Sequence, residues 1–306
     1  MPLPALTTPV PHSVGLNRPQ RRLPPGACDS HMHIFDPRFA PSSHWPRTPP
    51  VAPVAAYRQL QARLGTTRTV VVTPSTYGTD NACTLEALDQ LGDAARGVAV
   101  VGEEVSADEL AHLAARRVRG LRVNFVSHQS WGTTTPDMLG TLARKVAEHP
   151  DCAGWYVQIF AHPEQLIALA PQLHTLPVPL VIDHLGRIDP AQGPAAQAYR
   201  VVRGLLDGGN TWVKLSGAYM RSTVHGPSYA DTLPLGQALV QAAPDRLVWG
   251  SDWPHTTETP GTVNDADLVD LLQAWAGSDA AMDRILVDNP ARLYGFDTVA
   301  PAERVI

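Results

Sequence analysis

The sequence predicts an α/β fold, a (β/α)8 barrel of the TIM type, and three observations predict it. Short apolar, β-branched runs recur at 27–35, 68–75, 97–102, 119–125, 154–160, 179–185, 211–217 and 246–252. Their continuous apolar character suits parallel strands covered on both faces. The intervals between them carry helical periodicity instead. Leu268, Leu271, Leu272 and Trp275 mark one face of a helix whose exposed side holds Asp267 and Asp270. Met138, Leu142 and Val146 mark another, and Gly208-Gly209 close the stretch 195–207 as a helix C-terminus does. Strands alternating with helices over roughly 270 residues make a barrel. The third observation weighs against a doubly wound open sheet: no Gly-x-Gly-x-x-Gly follows the first strand.

In chain order, residues 1–26 are proline-rich and aperiodic and read as an extended N-terminal arm. Residues 27–306 read as one barrel domain. The Pro-rich segment 36–52 after the first strand then lies over the C-terminal mouth, where barrel active sites sit. The 306 residues are 44% hydrophobic and 17% charged, with a net charge of −5. That supports a sizeable core and argues against a general binder of nucleic acid or anionic membranes, which needs a basic excess. No apolar run approaches membrane-spanning length, and the N-terminus carries no apolar signal region. Cys28, Cys83 and Cys152 are widely spaced, which points to a reducing cytoplasm rather than a disulfide framework. The expected partner is a small molecule. A homodimer, with the arm reaching a neighbour, is left open.

The chemistry gathers at the strand ends. The first strand ends His31-Met32-His33, and alternation puts both imidazoles on one face, with Asp29 deeper on that face and Cys28 packed on the other. The sixth strand ends Asp183-His184 and is followed by Arg187, and the eighth ends Ser251-Asp252-Trp253-Pro254-His255. Each has a plainer reading: surface histidines, a capped strand end, a turn carboxylate before proline. Three strand ends delivering His or Asp to one rim is what a barrel enzyme requires. Arg122 and Asn124 share a face of the fourth strand, and an Arg inside a strand needs an anionic partner. That partner is either a substrate carboxylate or a barrel carboxylate such as Asp29 or Glu103. Arg187 and Arg221 add positive potential at the mouth or are solvated loop charges, and Tyr219, just past the seventh strand, is with Arg221 a candidate substrate contact. Ser75, Thr76 and Tyr77 offer hydroxyls at the rim or form an ordinary turn, and His255 is placed there as a further substrate contact. Trp45, Trp131 and Trp253 are candidates to line the mouth. Lys214, on the seventh strand, needs a carboxylate, Asp29 or Asp183.

At these residues the sequence resembles the amidohydrolase superfamily. Within it, the likeness is to the amidohydrolase-2 lactonases, typified by 2-pyrone-4,6-dicarboxylate lactonase. The resemblance rests on CDSHMHIFDP (28–37), GLRVNF (120–125), VIDHLGR (181–187), VWGSDWPH (248–255) and NPARLYGF (289–296). It implies hydrolysis of a lactone ring. Asp252 is then the general base on water, His31, His33 and His184 polarise the carbonyl and stabilise the oxyanion, and Arg122 holds a substrate carboxylate with Arg187 as a second contact. Three departures stand out. The lactonase pattern's second Arg, six residues after the strand-4 Arg, is His128 here. Neither Lys145 nor Lys214 occupies the strand-4 place of the carbamylated lysine of binuclear members, and the strand-5 ligand histidine is replaced by Gln158. The resemblance to the metal-free lactonase branch implies that no cofactor is required. The alternative is one divalent ion, zinc or manganese, on His31, His33, His184 and Asp252. Competing functions are a metal-dependent decarboxylase or hydratase, a lactone isomerase, and a binding barrel without turnover.

Overall fold

The computed structural model describes residues 7–127 and 134–298. Each apolar run overlaps a strand: β1 (Cys28–Met32), β2 (Arg68–Val72), β3 (Ala95–Ala99), β4 (Val118–Asn124), β5 (Tyr156–Phe160), β6 (Leu180–Ile182), β7 (Thr211–Leu215) and β8 (Leu247–Trp249). Neighbours in sequence pair in parallel, in the order one to eight. The ring is laced shut just past the strands. The Asp252 N–H donates to the His31 carbonyl at 2.7 Å, and the His33 N–H donates to the Trp253 carbonyl at 2.8 Å. Gly250 permits this approach, because a Cβ there would lie 2.6 Å from the His31 Cβ.

Helices α1 (Val54–Leu64), α2 (Ala82–Leu91), α3 (Ala107–Ala115), α4 (Pro136–Glu148), α5 (Pro163–Leu173), α6 (Gln197–Asp207), α7 (Leu233–Ala242) and α8 (Asp265–Ala276) follow the strands in turn. Side-chain caps open several of them: Ser106 accepts from the Glu109 N–H, Thr135 from Met138 and Asn264 from Ala266. The predicted stripes on α4 and α8 are buried. After α9 (Asp279–Asp283), helix α10 (Asn289–Tyr294) seals one end of the barrel. Its Leu293 and Tyr294 join Val70, Val72, Val98, Tyr156, Val181 and Val248 in an apolar plug inside the ring.

Three expectations need correction. β6 and β8 are shorter than the apolar runs that hold them, so His184 and Asp252 lie in the turns just beyond these strands. Both adopt the left-handed region, at φ 51° and 61°, which no strand residue can do and which turns their side chains back over the mouth. In β1 the register shifts between Asp29 and Met32, and a bulge reverses the alternation of side chains. Asp29 therefore faces outward, accepting from Tyr57 Oη of α1 at 3.0 Å and from Ser251 Oγ at 2.6 Å. Cys28 instead joins the interior plug. Burial pushes its thiol up to about 12, so it is packed and inert. Lastly, Asp267 and Asp270 are half-buried under the arm, bonded by Asn17 Nδ2 and the Gln20 N–H.

The described part of the arm lies along its own barrel. Buried Arg63 of α1 donates to Ser13 Oγ and to the carbonyls of Val14 and Asn17, and Trp253 Nε1 donates to the Pro11 carbonyl at 2.8 Å. Among the described residues no helix is long and apolar enough to cross a membrane.

Gly250→Ala should drive β8 away from His31. Overpacking of this kind costs ~1–3 kcal/mol. Urea unfolding of the variant should show that loss, and wild-type stability would contradict the close approach.

Candidate active site

At the C-terminal mouth, a narrow cavity of about 60 Å³ is lined by His33, Ser75, Thr76, Arg122, Asn124, Phe160, His184 and Asp252. It continues into an outer chamber of about 300 Å³ beneath the 36–52 and 254–263 loops, and the two share Trp45, Arg47, Thr76 and Thr256.

Three imidazoles converge on one carboxylate oxygen. Asp252 Oδ1 lies 3.4 Å from His33 Nε2, 3.6 Å from His31 Nε2 and 3.8 Å from His184 Nε2. All four residues are buried. Burial alone would raise the Asp252 carboxyl, but His184 together with His33 and His31 reverses this and holds it well below the usual carboxylate range. The other oxygen, Oδ2, accepts from Tyr219 Oη at 2.7 Å.

Each ring is fixed by its second nitrogen. His33 Nδ1 donates to the Val72 carbonyl at 2.8 Å, and His184 Nδ1 meets Ser216 Oγ at 2.8 Å. A Cβ on Gly217 would press on the His184 ring at 3.0 Å, so the bare glycine at φ 60° leaves that ring its place. Lys214 Nζ donates to the Ser30 carbonyl at 2.9 Å and reaches His31 Nδ1 at 3.3 Å. The same Nδ1 lies 3.3 Å from Asp183 Oδ1, so it sits between a donor and an acceptor. Burial and then Lys214 push the His31 imidazole well down, and burial lowers His184.

Asp183 compensates the enclosed cations. Its Oδ2 accepts from Arg122 Nε at 3.0 Å, and its Oδ1 lies 3.3 Å from His31 Nδ1 and 3.9 Å from Lys214 Nζ. Burial would raise it, but His31, Arg122 and Lys214 together bring it well below the ordinary value. The anionic partner of Arg122 is therefore Asp183, not Asp29 or Glu103, and Lys214 faces the same carboxylate.

The remaining predicted residues divide. Ser75, accepting from Asn124 Nδ2 at 2.7 Å, and Thr76 line the cavity. Tyr77 does not: its hydroxyl accepts from the Asp36 N–H and its ring packs on Phe35. Arg187 stacks on one ring with Arg122, their guanidinium carbons 5.1 and 5.2 Å from the Phe160 centroid. Exposed Arg221 lies near enough to lower Arg187 further after burial. His255 turns away from the cavity toward Tyr219 and Asp265. Trp45 lines the mouth, whereas Trp253 is buried against Tyr57. His128 and Trp131 lie outside the described residues. Sequence reasoning missed Asp265 altogether and took Tyr219 for a substrate contact; the signal for both, a buried polar side chain far away in sequence, exists only in the fold.

His31, His33 and Asp252 form one group able to hold a metal ion, and His31, Asp183 and His184 form another. The donor set fits a divalent ion. Ligands on a tetrahedral zinc with bonds of ~2.0 Å stand roughly 3.3 Å apart, and His31 Nε2 to His33 Nε2 is 3.3 Å. The second nitrogens of His33 and His184 are held by other groups, as metal ligands usually are.

Burial lowers Lys214 to about 8. Between that value and its unfolded value of 10.5 the unfolded chain binds the extra proton, so stability rises with pH. The difference is ~3 kcal/mol. Denaturant titrations across this window should show that gain in the wild type relative to Lys214→Met. Equal pH slopes in the two proteins would contradict a lysine whose proton affinity is lowered by burial.

The amidohydrolase family model matches residues 28–296. The 4-sulfomuconolactone hydrolase of Hydrogenophaga intermedia is 33% identical over 277 residues, 89% of this chain and 90% of the relative. The 2-pyrone-4,6-dicarboxylate hydrolase of Comamonas testosteroni is 35% identical over 291 residues, 91% and 93% of the two chains. A crystal structure from Agrobacterium tumefaciens superposes with a TM-score of 0.84 at 27% identity, covering 94% of this chain and 99% of that one. Matched from its first strand to its last helix, the chain belongs to the amidohydrolase family.

Proposed function

We propose that this protein is a lactone hydrolase that opens the ring of an anionic small molecule. The observation that carries the reading is an ionised, buried Asp252 whose free oxygen faces three fixed imidazoles at the barrel mouth.

Water held at Asp252 Oδ1 attacks the lactone carbonyl and Asp252 takes its proton. The oxyanion forms beside the Nε2 atoms of His31 and His184, where donors act in a water-poor site. His33, whose Nδ1 proton is committed to Val72, donates from Nε2 only when both nitrogens are protonated. Collapse of the tetrahedral intermediate breaks the ring C–O bond. Asp252 then returns the proton to the departing oxygen, giving a hydroxy acid. A divalent ion, if bound, would sit on His31, His33, His184 and Asp252 and would polarise the carbonyl and acidify water. The histidine and carboxylate chemistry above stands without one, and no required metal is the reading adopted.

Substrate charge follows from the cations. Arg122 is partly neutralised by Asp183, but Arg187 has no carboxylate partner among the described residues, and its Nε is buried without a hydrogen bond. Arg187 with Arg221 is the anion contact this geometry favours, while Ser75 and Thr76 offer hydroxyls on the opposite wall. The narrow inner cavity takes the ester and the water, so the rest of the substrate extends into the outer chamber. The relatives named as sulfomuconolactone and pyrone dicarboxylate hydrolases support an anionic lactone. They likewise favour ester hydrolysis over decarboxylation or isomerisation.

Proton release should be followed on muconolactones, pyrone dicarboxylate and aldonolactones, with protein stripped by chelator and dialysed. The stripped wild type is expected to turn over at least one anionic lactone, and Asp252→Asn to lose ~100- to 10,000-fold, the range of general-base contributions. An active Asp252→Asn would contradict the assignment, and activity returning only with zinc or manganese would make the four side chains ligands. A second expectation concerns charge. Arg187→Met should raise KM for the anionic substrate ~10-fold or more, the loss of a charge-assisted bond. It should leave a neutral lactone of the same ring size unaffected. Equal effects on both would remove Arg187 from the anion site.

A further inference from the structure

We propose that Asp252 is held in its working orientation by a buried relay, Tyr219–His255–Asp265, in which a doubly protonated His255 directs the Tyr219 hydroxyl proton onto Asp252. The proposal rests on reading Asp252 as the base.

The chain of contacts is continuous. Tyr219 Oη lies 2.7 Å from Asp252 Oδ2, His255 Nδ1 lies 3.0 Å from Tyr219 Oη, and His255 Nε2 lies 3.0 Å from Asp265 Oδ2. Asp252, His255, Asp265 and Tyr219 are all buried. They come from three places in the fold: the turn after β7, the turn after β8 and the first residue of α8. Asp265 is itself seated, its N–H donating to Ser13 Oγ of the arm at 3.2 Å.

Proton counting fixes the direction. A carboxylate accepts, so His255 Nε2 donates to Asp265. If His255 carried only that proton, its Nδ1 would be an acceptor and would compete with Asp252 for the single Tyr219 hydroxyl proton. With both nitrogens protonated, Nδ1 donates to the Tyr219 oxygen and the hydroxyl proton has one destination, Asp252 Oδ2. The surroundings favour that state. Burial opposes the imidazolium, but Asp265 overrides it, with Asp252 and Asp29 adding in the same sense, and His255 is raised above its ordinary value. On the outer side, His12 and Glu258 line the same chamber as His255. Oδ2 is thus occupied by a donor, and Oδ1 is left to face the histidines and water. Tyr219, His255 and Asp265 are positioning residues; none needs to touch substrate.

The test joins spectroscopy to kinetics. In protein with isotope-labelled histidine, proton–nitrogen correlation at neutral pH should show both His255 nitrogens protonated, and Asp265→Asn should return the ring to one proton. Tyr219→Phe and Asp265→Asn should lower kcat about 10- to 100-fold with KM little changed, the usual effect of removing support behind a positioned group. Asp252→Asn runs beside them. If it is inactive while Tyr219→Phe keeps wild-type kcat, the relay is wrong and the base assignment stands. If Asp252→Asn is active, the base assignment itself falls. A singly protonated His255 in the wild type overturns the relay without reference to turnover, so the proposal remains testable even if a variant does not fold.

Discussion

Arg122 and Lys214 are enclosed in the barrel, and the carboxylate that faces both is Asp183. Burying a charge is costly unless it is paired, and breaking a buried pair leaves an uncompensated ion. This pairing organises the site. It holds the Arg122 guanidinium across the mouth beside Phe160 and keeps Lys214 under His31, where the ammonium reaches the ring. The place of the His31 ring at the cavity therefore rests on a charge balance struck one layer deeper.

Above that layer, the site stands on turns rather than on strands. His184 and Asp252 both take left-handed backbone conformations, each unfavourable for a non-glycine residue by roughly 1–2 kcal/mol. The surroundings hold them there: the lacing of Asp252 to His31 across the seam, the bare edge of Gly250, the Tyr219 hydroxyl and the seat of Trp253 on the Pro11 carbonyl. Residues brought to such positions can converge on one point from β1, β6 and β8, which side chains pointing straight into a closed barrel cannot do.

The fold was legible because the apolar runs and helical stripes recur at barrel spacing, and because a barrel gathers its strand ends at one mouth. His31, His33, His184 and Asp252 could be brought together on that basis alone. Strand alternation misplaced Asp29 and Cys28, since a bulge leaves no mark in an otherwise apolar run. Arg122 was recognised as needing an anion, but the competition between Asp183 and a substrate is settled by distance. His255 was seen at the rim, yet its partners lie ten residues later in α8 and thirty-six residues earlier after β7, and only packing joins them. Tyr77 sits one residue from a cavity-lining threonine but faces Phe35, a difference set by a single tight turn.

The most direct test follows the attacking oxygen. A lactone that the protein opens should be carried through a single turnover in heavy-oxygen water and the product read by mass spectrometry. Attack by water held at Asp252 places the label in the newly formed carboxylate and none in the released hydroxyl oxygen. A ring-opened or rearranged product without label would show that the ring opens by elimination or migration, and would contradict hydrolysis at this site.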